Sequence, residues 1–287
     1  MEKSLQLSVL MTAYNRENYI CDAIESVLKS TFNNFELIIV DDCSSDQTLF
    51  RARRYELMDN RIKVYSNDTN LGDYLNRNKA ASYATGDYLM YVDSDDTIEN
   101  DGIVNCVSAM ASYPEAAFGI YNKTYTREIS IMGSLVAIKN HFFKEPFLLI
   151  GPGGTIIKRK FFEEIGGYPV KYGPANDMYF NLKAVSQSSI VLLPFEFVNY
   201  RRHIGQEINN WRSYLFNNYL YLDDALKELP LNLSSKQRMW ISNKNKRRFL
   251  VNLVKYFFKS GDMSTIKSSI SKAGFQWQDV LKAIFHN

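Results

Sequence analysis

The chain has 287 residues, 46% of them hydrophobic and 23% charged, with a formal net charge of +3. This is the composition of an ordinary globular chain, long enough to bury a large core, and it excludes disorder or a fibrous repeat. Charge is unevenly spread: residues 1–204 are net acidic, whereas residues 205–287 are net basic and rich in aromatics, which predicts two regions with different tasks.

Three cysteines, Cys21, Cys43 and Cys106, lack metal-ligand or redox spacing, as in a reducing, cytoplasmic setting. The N-terminus runs into a strand pattern without a leader-like segment. No apolar run approaches the ~18–20 residues of a membrane span, so any membrane contact is expected to be peripheral.

Along the chain, Leu7–Met11 is a short apolar strand ending at Thr12-Ala13-Tyr14-Asn15. Ile20, Ala23, Ile24, Val27 and Leu28 follow with helical spacing. Phe35–Val40 is a nearly continuous apolar strand, as in a parallel sheet buried on both faces, and stops at Asp41-Asp42-Cys43-Ser44. Ile62–Tyr65 is a third strand, 73–84 a helix, and Tyr88–Val92 a fourth strand ending at Asp93-Ser94-Asp95-Asp96. Residues 102–112 read as a helix. The region 117–157 reads as strands and loops, with Gly151-Pro152-Gly153-Gly154 as a flexible junction. Helices at 158–165 and 178–186 precede a final strand pair beginning at 189. Beyond about Gly205 the pattern is helical, broken at Pro230 and Gly261. Alternating strands and helices predict an α/β fold with an open, mostly parallel sheet flanked by helices and a helical C-terminal appendage.

Polar residues collect at the carboxyl ends of these strands, where open α/β sheets bind ligands: Thr12 and Tyr14, Asp41 and Asp42, then Asp93, Asp95 and Asp96. Any one cluster alone reads equally as a turn or helix cap. Carboxylates two residues apart at a strand end form a negative site that approaches a diphosphate only through a hard cation, Mg²⁺ or Mn²⁺. The alternative is an N-cap for a helix beginning near Glu99.

These runs resemble the family 2 glycosyltransferases of the GT-A (Rossmann-like) fold. The resemblance is carried by Ser8–Asn15, by Phe35–Val40 with Asp41-Asp42-Cys43-Ser44, by Asn70-Leu71-Gly72 with Arg77-Asn78, and by Ala84–Tyr88 leading to Val92-Asp93-Ser94-Asp95-Asp96. It is continuous to about residue 102 and patchier to 204. It implies a donor-binding set of Thr12, Tyr14, Asp42, Arg77, Ser94 and Asp93. Tyr14 would stack on uracil, Asp42 accept from the base, and Ser94 face the ribose. Asp95, with Asp93, would hold Mn²⁺ or Mg²⁺. Pro174–Met178, after Gly166-Gly167-Tyr168, resembles the family's Glu-Asp segment, which makes Asp177 the catalytic base although Asn176 replaces the usual Glu. His203, in Tyr200-Arg201-Arg202-His203, matches a residue that contacts metal or diphosphate in some relatives. A surface or core histidine is the plainer reading. Gly151–Thr155 reads as a backbone cradle or a simple turn.

The resemblance implies an inverting, metal-dependent transfer of a hexosyl or N-acetylhexosaminyl group from a UDP-sugar to a saccharide or lipid-linked saccharide, as in bacterial surface polysaccharide synthesis. A sugar-phosphate nucleotidyltransferase would need a glycine-rich loop at 12–15, which is absent. An inactive scaffold is the non-enzyme alternative. In the tail, basic and apolar residues of 244–259 keep helical spacing, which fits either an anionic membrane surface or packing on the rest of the protein. The acidic first region argues against nucleic acid as a partner. Two domains are expected, 1–204 catalytic and 205–287 helical.

Overall fold

A computed structural model of the protein describes residues 6–203, 211–276 and 279–280. The first half alternates β1 (Leu7–Ala13), α1 (Ile20–Leu28), β2 (Phe35–Asp41), α2 (Thr48–Met58), β3 (Ile62–Ser66), α3 (Asp73–Ser82) and β4 (Tyr88–Tyr91). Then come β5 (Thr97–Ile98), α4 (Gly102–Ser112), β6 (Phe118–Tyr121), β7 (Ser130–Met132), α5 (Ser134–Phe143), β8 (Thr155–Lys158) and α6 (Arg159–Glu164). The chain continues through α7 (Asn176–Gln187), β9 (Ile190–Leu193), β10 (Val198–Asn199), α8 (Trp211–Glu228), α9 (Ser235–Ser260) and α10 (Met263–Lys272).

Eight strands form one sheet in the order β3-β2-β1-β4-β8-β6-β9-β7. Strands β1 to β4 are mutually parallel. Strand β8 enters antiparallel between β4 and β6, so strand direction changes beside β4, where the acidic run begins. Successive residues of β2 serve opposite faces: Leu37 and Ile39 join one core cluster, Ile38 and Val40 the other. This two-sided burial explains why the strand reads as a continuous apolar run rather than an alternating one.

Three expectations are corrected. The region 117–157 contains helix α5, whose apolar run Leu135-Val136-Ala137-Ile138 has no polar interruption to reveal a helical period. The strand pair after 189 is not a pair: β9 joins the main sheet beside β6 and β7, while β10 pairs antiparallel with β5. The glycine-rich junction is an ordered 3₁₀ turn at Pro152–Gly154, closed by the Gly154 N–H donating to the Gly151 carbonyl at 3.0 Å.

Tyr221, Leu222, Ala225, Leu226 and Ile241 of the C-terminal helices join the core cluster on one face of the sheet. A smaller cluster of Leu215, Tyr219, Phe249, Leu253, Tyr256 and Ile266 ties α8, α9 and α10 together. Helix α9 opens on a Ser234–Gln237 capping box and closes on Gly261 with φ 65°, in the left-handed region that glycine adopts without a Cβ clash. The expected boundary between 204 and 205 lies outside the described residues.

Candidate active site

The loops after β1 and β2 clasp each other at the sheet's carboxyl edge. Asp42 N–H donates to the Ala13 carbonyl at 2.7 Å. Asn15 N–H donates to Ser44 Oγ at 2.9 Å, and Asn15 Oδ1 accepts from Ser45 N–H at 2.9 Å. Thr12 is half-buried at the end of β1, in register with Val40 of β2, while Tyr14 is 48% exposed, leaving an aromatic face open for stacking.

Asp42 is buried and engaged within the protein: Oδ1 accepts from Asn67 Nδ2 and Leu71 N–H at 2.7 and 2.8 Å, and Oδ2 from Gly72 N–H at 2.9 Å. Its carboxylate fixes the loop that starts α3, and that helix delivers Arg77. Contact with a base would be a second task for the same side chain.

Arg77 is buried on α3, with Nε 2.8 Å from Asp73 and Nη2 2.7 Å from Asp93. Its Nη1 is buried with no hydrogen-bond partner. A buried donor left unmade costs about 1–3 kcal/mol, and an arriving anion would satisfy it. Burial pushes the Asp93 carboxyl up despite the Arg77 guanidinium beside it.

At the end of β4, Ser94, Asp95 and Asp96 are all buried. Helix α4 begins at Gly102 and β5 intervenes, so the acidic run does not cap a helix. Asp95 Oδ2 lies 2.9 Å from His203 Nε2 and 2.8 Å from Arg16 Nε. The His203 ring stacks on Tyr19 with centroids 4.6 Å apart. Asp96 Oδ1 accepts from Arg201 N–H at 2.9 Å, which holds the segment after β10 against this edge, and burial pushes the Asp96 carboxyl up to about 7.

Asp177 enters from the second half of the chain. The 3₁₀ turn Gly173–Ala175 leads directly into α7. Asn176, where the resemblance implied Glu, staples that turn: Oδ1 accepts from Tyr172 N–H at 2.9 Å and Nδ2 donates to the Gly173 carbonyl at 2.7 Å. Asp177 follows in the first turn, with Oδ1 accepting from Met178 N–H at 2.6 Å. A methyl added at Gly151 would stand 3.7 Å from Asp177 Oδ2, so the glycine turn forms one wall at the carboxylate. Burial pushes Asp177 up to about 7, opposed by the Met178 N–H, the Arg77 guanidinium and a hydrogen bond from Tyr74.

Asp93, Asp95, Arg77 and His203 therefore meet at the end of β4, and Asp177 lies within the field of the same Arg77. Among the described residues no three His, Cys, Asp or Glu side chains form a complete protein cage for a metal. The Asp95 oxygen and His203 nitrogen, 2.9 Å apart, are the partial donor set that suits Mn²⁺ or Mg²⁺ when substrate phosphates supply further oxygens. The residues fit the ion.

The family model for glycosyl transferase family 2 matches residues 8–166, more than half of the chain. The chain belongs to that family. A putative teichuronic acid biosynthesis glycosyltransferase of Bacillus subtilis is 42% identical over 95 residues, 33% of this chain and 38% of that protein. The UDP-Glc:α-D-GlcNAc-diphosphoundecaprenol β-1,3-glucosyltransferase of Escherichia coli is 37% identical over 131 residues, 46% of this chain and 51% of that protein. The matches to these curated relatives thus span about half of their length or less. Among solved structures, S. aureus TarS 1–349 in complex with UDP-GlcNAc superposes with a TM-score of 0.70 at 21% identity, covering 94% of this chain and 80% of that one. A mannosyltransferase from Pyrobaculum calidifontis in complex with GDP-Man and Mn²⁺ gives 0.65 at 14% identity, covering 98% and 84%. The fold is GT-A.

Sequence reasoning missed Arg16. It follows the Thr12–Asn15 run directly, but nothing in its spacing foretells that the side chain crosses to Asp95, 79 residues away.

Proposed function

We propose that this glycosyltransferase-family chain transfers a hexosyl or N-acetylhexosaminyl group from a UDP-sugar to a saccharide or lipid-linked saccharide acceptor, in the synthesis of a bacterial surface polysaccharide. The observation that carries this reading is the placement of Asp177, a half-buried carboxylate raised to about 7, against the Gly151 turn and in the field of Arg77. A general base works best with a pKa near the operating pH, and burial of this kind is how proteins raise one.

In this reading Tyr14 stacks on the base, with Thr12 and Asp42 beneath it and Ser94 at the ribose. The unpartnered Nη1 of Arg77 binds donor phosphate, where a guanidinium matches the oxygen geometry. Asp95 and His203, with Asp93 beside them, hold Mn²⁺ or Mg²⁺, which supplies neutralising charge for the departing UDP. Asp177 takes the proton of the acceptor hydroxyl as its oxygen attacks the anomeric carbon, in one displacement that inverts configuration. The choice of UDP draws support from the UDP-GlcNAc bound by TarS. The lipid-linked acceptor draws support from the diphosphoundecaprenol acceptor named for the E. coli relative.

The outer face of α9 fits a peripheral site on the cytoplasmic leaflet of a membrane. Lys244, Arg247, Val251, Val254, Lys255 and Phe258 share one side of the helix at 3.6 residues per turn, opposite the buried Phe249, Leu253 and Tyr256. Phe258 is 83% exposed and Val254 55%. Exposed apolar side chains among cations suit an anionic headgroup layer. No helix of the described residues is long and apolar enough to cross a membrane.

Calorimetric titration of UDP and a panel of UDP- and GDP-sugars, with Mn²⁺ and with EDTA, tests the reading. Metal-dependent UDP binding that Asp95→Ala abolishes is expected. Absence of nucleotide binding under all conditions would favour an inactive scaffold.

A further inference from the structure

Arg16 is a cation placed on the carboxylate assigned to a cation. Its Nε donates to Asp95 Oδ2 at 2.8 Å, the same oxygen that lies 2.9 Å from His203 Nε2. Its Nη1 donates to the Tyr14 carbonyl at 3.1 Å and the Asn15 carbonyl at 3.2 Å. Asn15 holds φ 52°, a left-handed conformation that costs free energy for a residue with a Cβ and that Asn tolerates best after Gly. The clasp of Asn15 with Ser44 and Ser45 fixes this bend, and the two carbonyls converge on one guanidinium nitrogen. Arg16 N–H also donates to Thr48 Oγ1 at 2.7 Å, so the residue is pinned through backbone and side chain.

We propose that Arg16 acts as a resident counter-ion for Asp95, which makes divalent-metal binding depend on the nucleotide. The proposal rests on the reading of Asp95 as metal ligand given above. A guanidinium on the ligand oxygen opposes a second cation there by direct repulsion and by occupying a lone pair. A nucleoside diphosphate changes that balance in two ways: it brings oxygens and negative charge to the metal, and it offers Arg16 another anionic partner. The base of the same nucleotide would contact Tyr14, whose carbonyl Arg16 already holds. Nucleobase site and metal site are thus joined through one side chain, and Arg16 is a positioning residue between them. Thermodynamic linkage requires the effect to be reciprocal: nucleotide strengthens metal binding by the same factor as metal strengthens nucleotide binding.

The experiment measures Mn²⁺ affinity of the full chain from the electron paramagnetic resonance signal of free Mn²⁺, without nucleotide and with saturating UDP. Wild type, Arg16→Gln, Arg16→Lys and the distant surface variant Arg53→Gln are compared. Arg16→Gln is expected to bind Mn²⁺ alone about fivefold or more tighter than wild type and to lose a similar factor of the gain produced by UDP, within the usual range of coupling between sites. Arg16→Lys retains the charge and should fall between the two, and Arg53→Gln should match wild type. If wild type binds Mn²⁺ with UDP but folded Arg16→Gln binds Mn²⁺ alone no tighter than wild type, the Arg16 proposal is overturned while the metal reading stands. If an equal tightening appears in Arg53→Gln, the effect is one of net charge and the proposal is likewise overturned. If neither wild type nor Arg16→Gln binds Mn²⁺ with UDP, both fall.

Discussion

Arg77 and Asp93 are joined by a 2.7 Å ion pair between a buried guanidinium and the first carboxylate after β4. Arg77 also holds Asp73 at 2.8 Å on its own helix, and the Tyr91 hydroxyl donates to its backbone carbonyl at 3.0 Å. Arg77→Met would leave Asp93 without its cation and remove the donor for an incoming phosphate. Because Asp73 is half exposed, the loss of stability should be about 2–3 kcal/mol, below that of a fully buried pair. Chemical denaturation measures it, and UDP affinity should fall in the same variant.

Asp177→Asn keeps the shape of the carboxylate and removes its basicity. Turnover should fall about 10²–10⁴-fold, the usual contribution of general acid–base catalysis. UDP affinity should change little, because the side chains proposed to bind the donor, Tyr14, Asp42 and Arg77, lie in the first half of the chain. Loss of turnover accompanied by equal loss of UDP binding would remove Asp177 from the role of base.

The pH profile follows from the same side chain. Burial raises Asp177 to about 7, and a base acts only when deprotonated. kcat/KM should therefore decline as pH falls below about 7, with a slope of one proton, and this limb should be missing from the residual activity of Asp177→Asn. Initial rates between pH 5.5 and 9 test it.

His141 is buried on α5, and its Nδ1 accepts from both Phe147 N–H and Leu148 N–H at 3.1 Å. Burial pushes its pKa down to about 4 from 6.5. The unfolded chain then binds the extra proton between pH 6.5 and 4, so neutral His141 contributes stability that is present above 6.5 and lost as pH falls through that window. The difference in unfolding free energy between wild type and His141→Gln should shrink by on the order of 3 kcal/mol from pH 7.5 to 4. A difference independent of pH would contradict this.

Phe258→Ser together with Lys255→Ser should weaken co-sedimentation with anionic vesicles without changing the thermal midpoint, because neither side chain joins a core cluster. Binding by the unaltered protein should weaken as salt screens its cations. Equal binding to neutral vesicles would argue against the electrostatic part of this surface.

Much of the donor half was legible because its signals are local. Strand β2 declares itself by the apolar run Leu37–Val40 behind Phe35, and Asp42 and Asp93 follow their strand ends by one and two residues, with Asp95 two further on. Helix α5 was hidden by its own apolarity, which erases the period that distinguishes helix from strand. The pairing of β10 with β5 joins residues about a hundred positions apart, and no local pattern encodes such a partner. Arg16 was missed for the same reason. Asp177 could be named from its motif, but its proximity to Arg77 and Gly151 required the tertiary fold.

The turn that presents Asp177 leans on α8. An atom added at Gly173 would meet Asn217 Nδ2 at 2.5 Å, Tyr172 donates to Asp224 at 3.1 Å, and Tyr179 to Glu228 at 2.7 Å. The early and late parts of the chain therefore cannot melt independently. A shortened chain ending before Trp211 would lose both the brace that sets the carboxylate and the α8 side chains that complete the core on that face of the sheet. Recombining the first half of this chain with a foreign tail would accordingly need the 171–179 segment and its α8 partners to travel as one cassette.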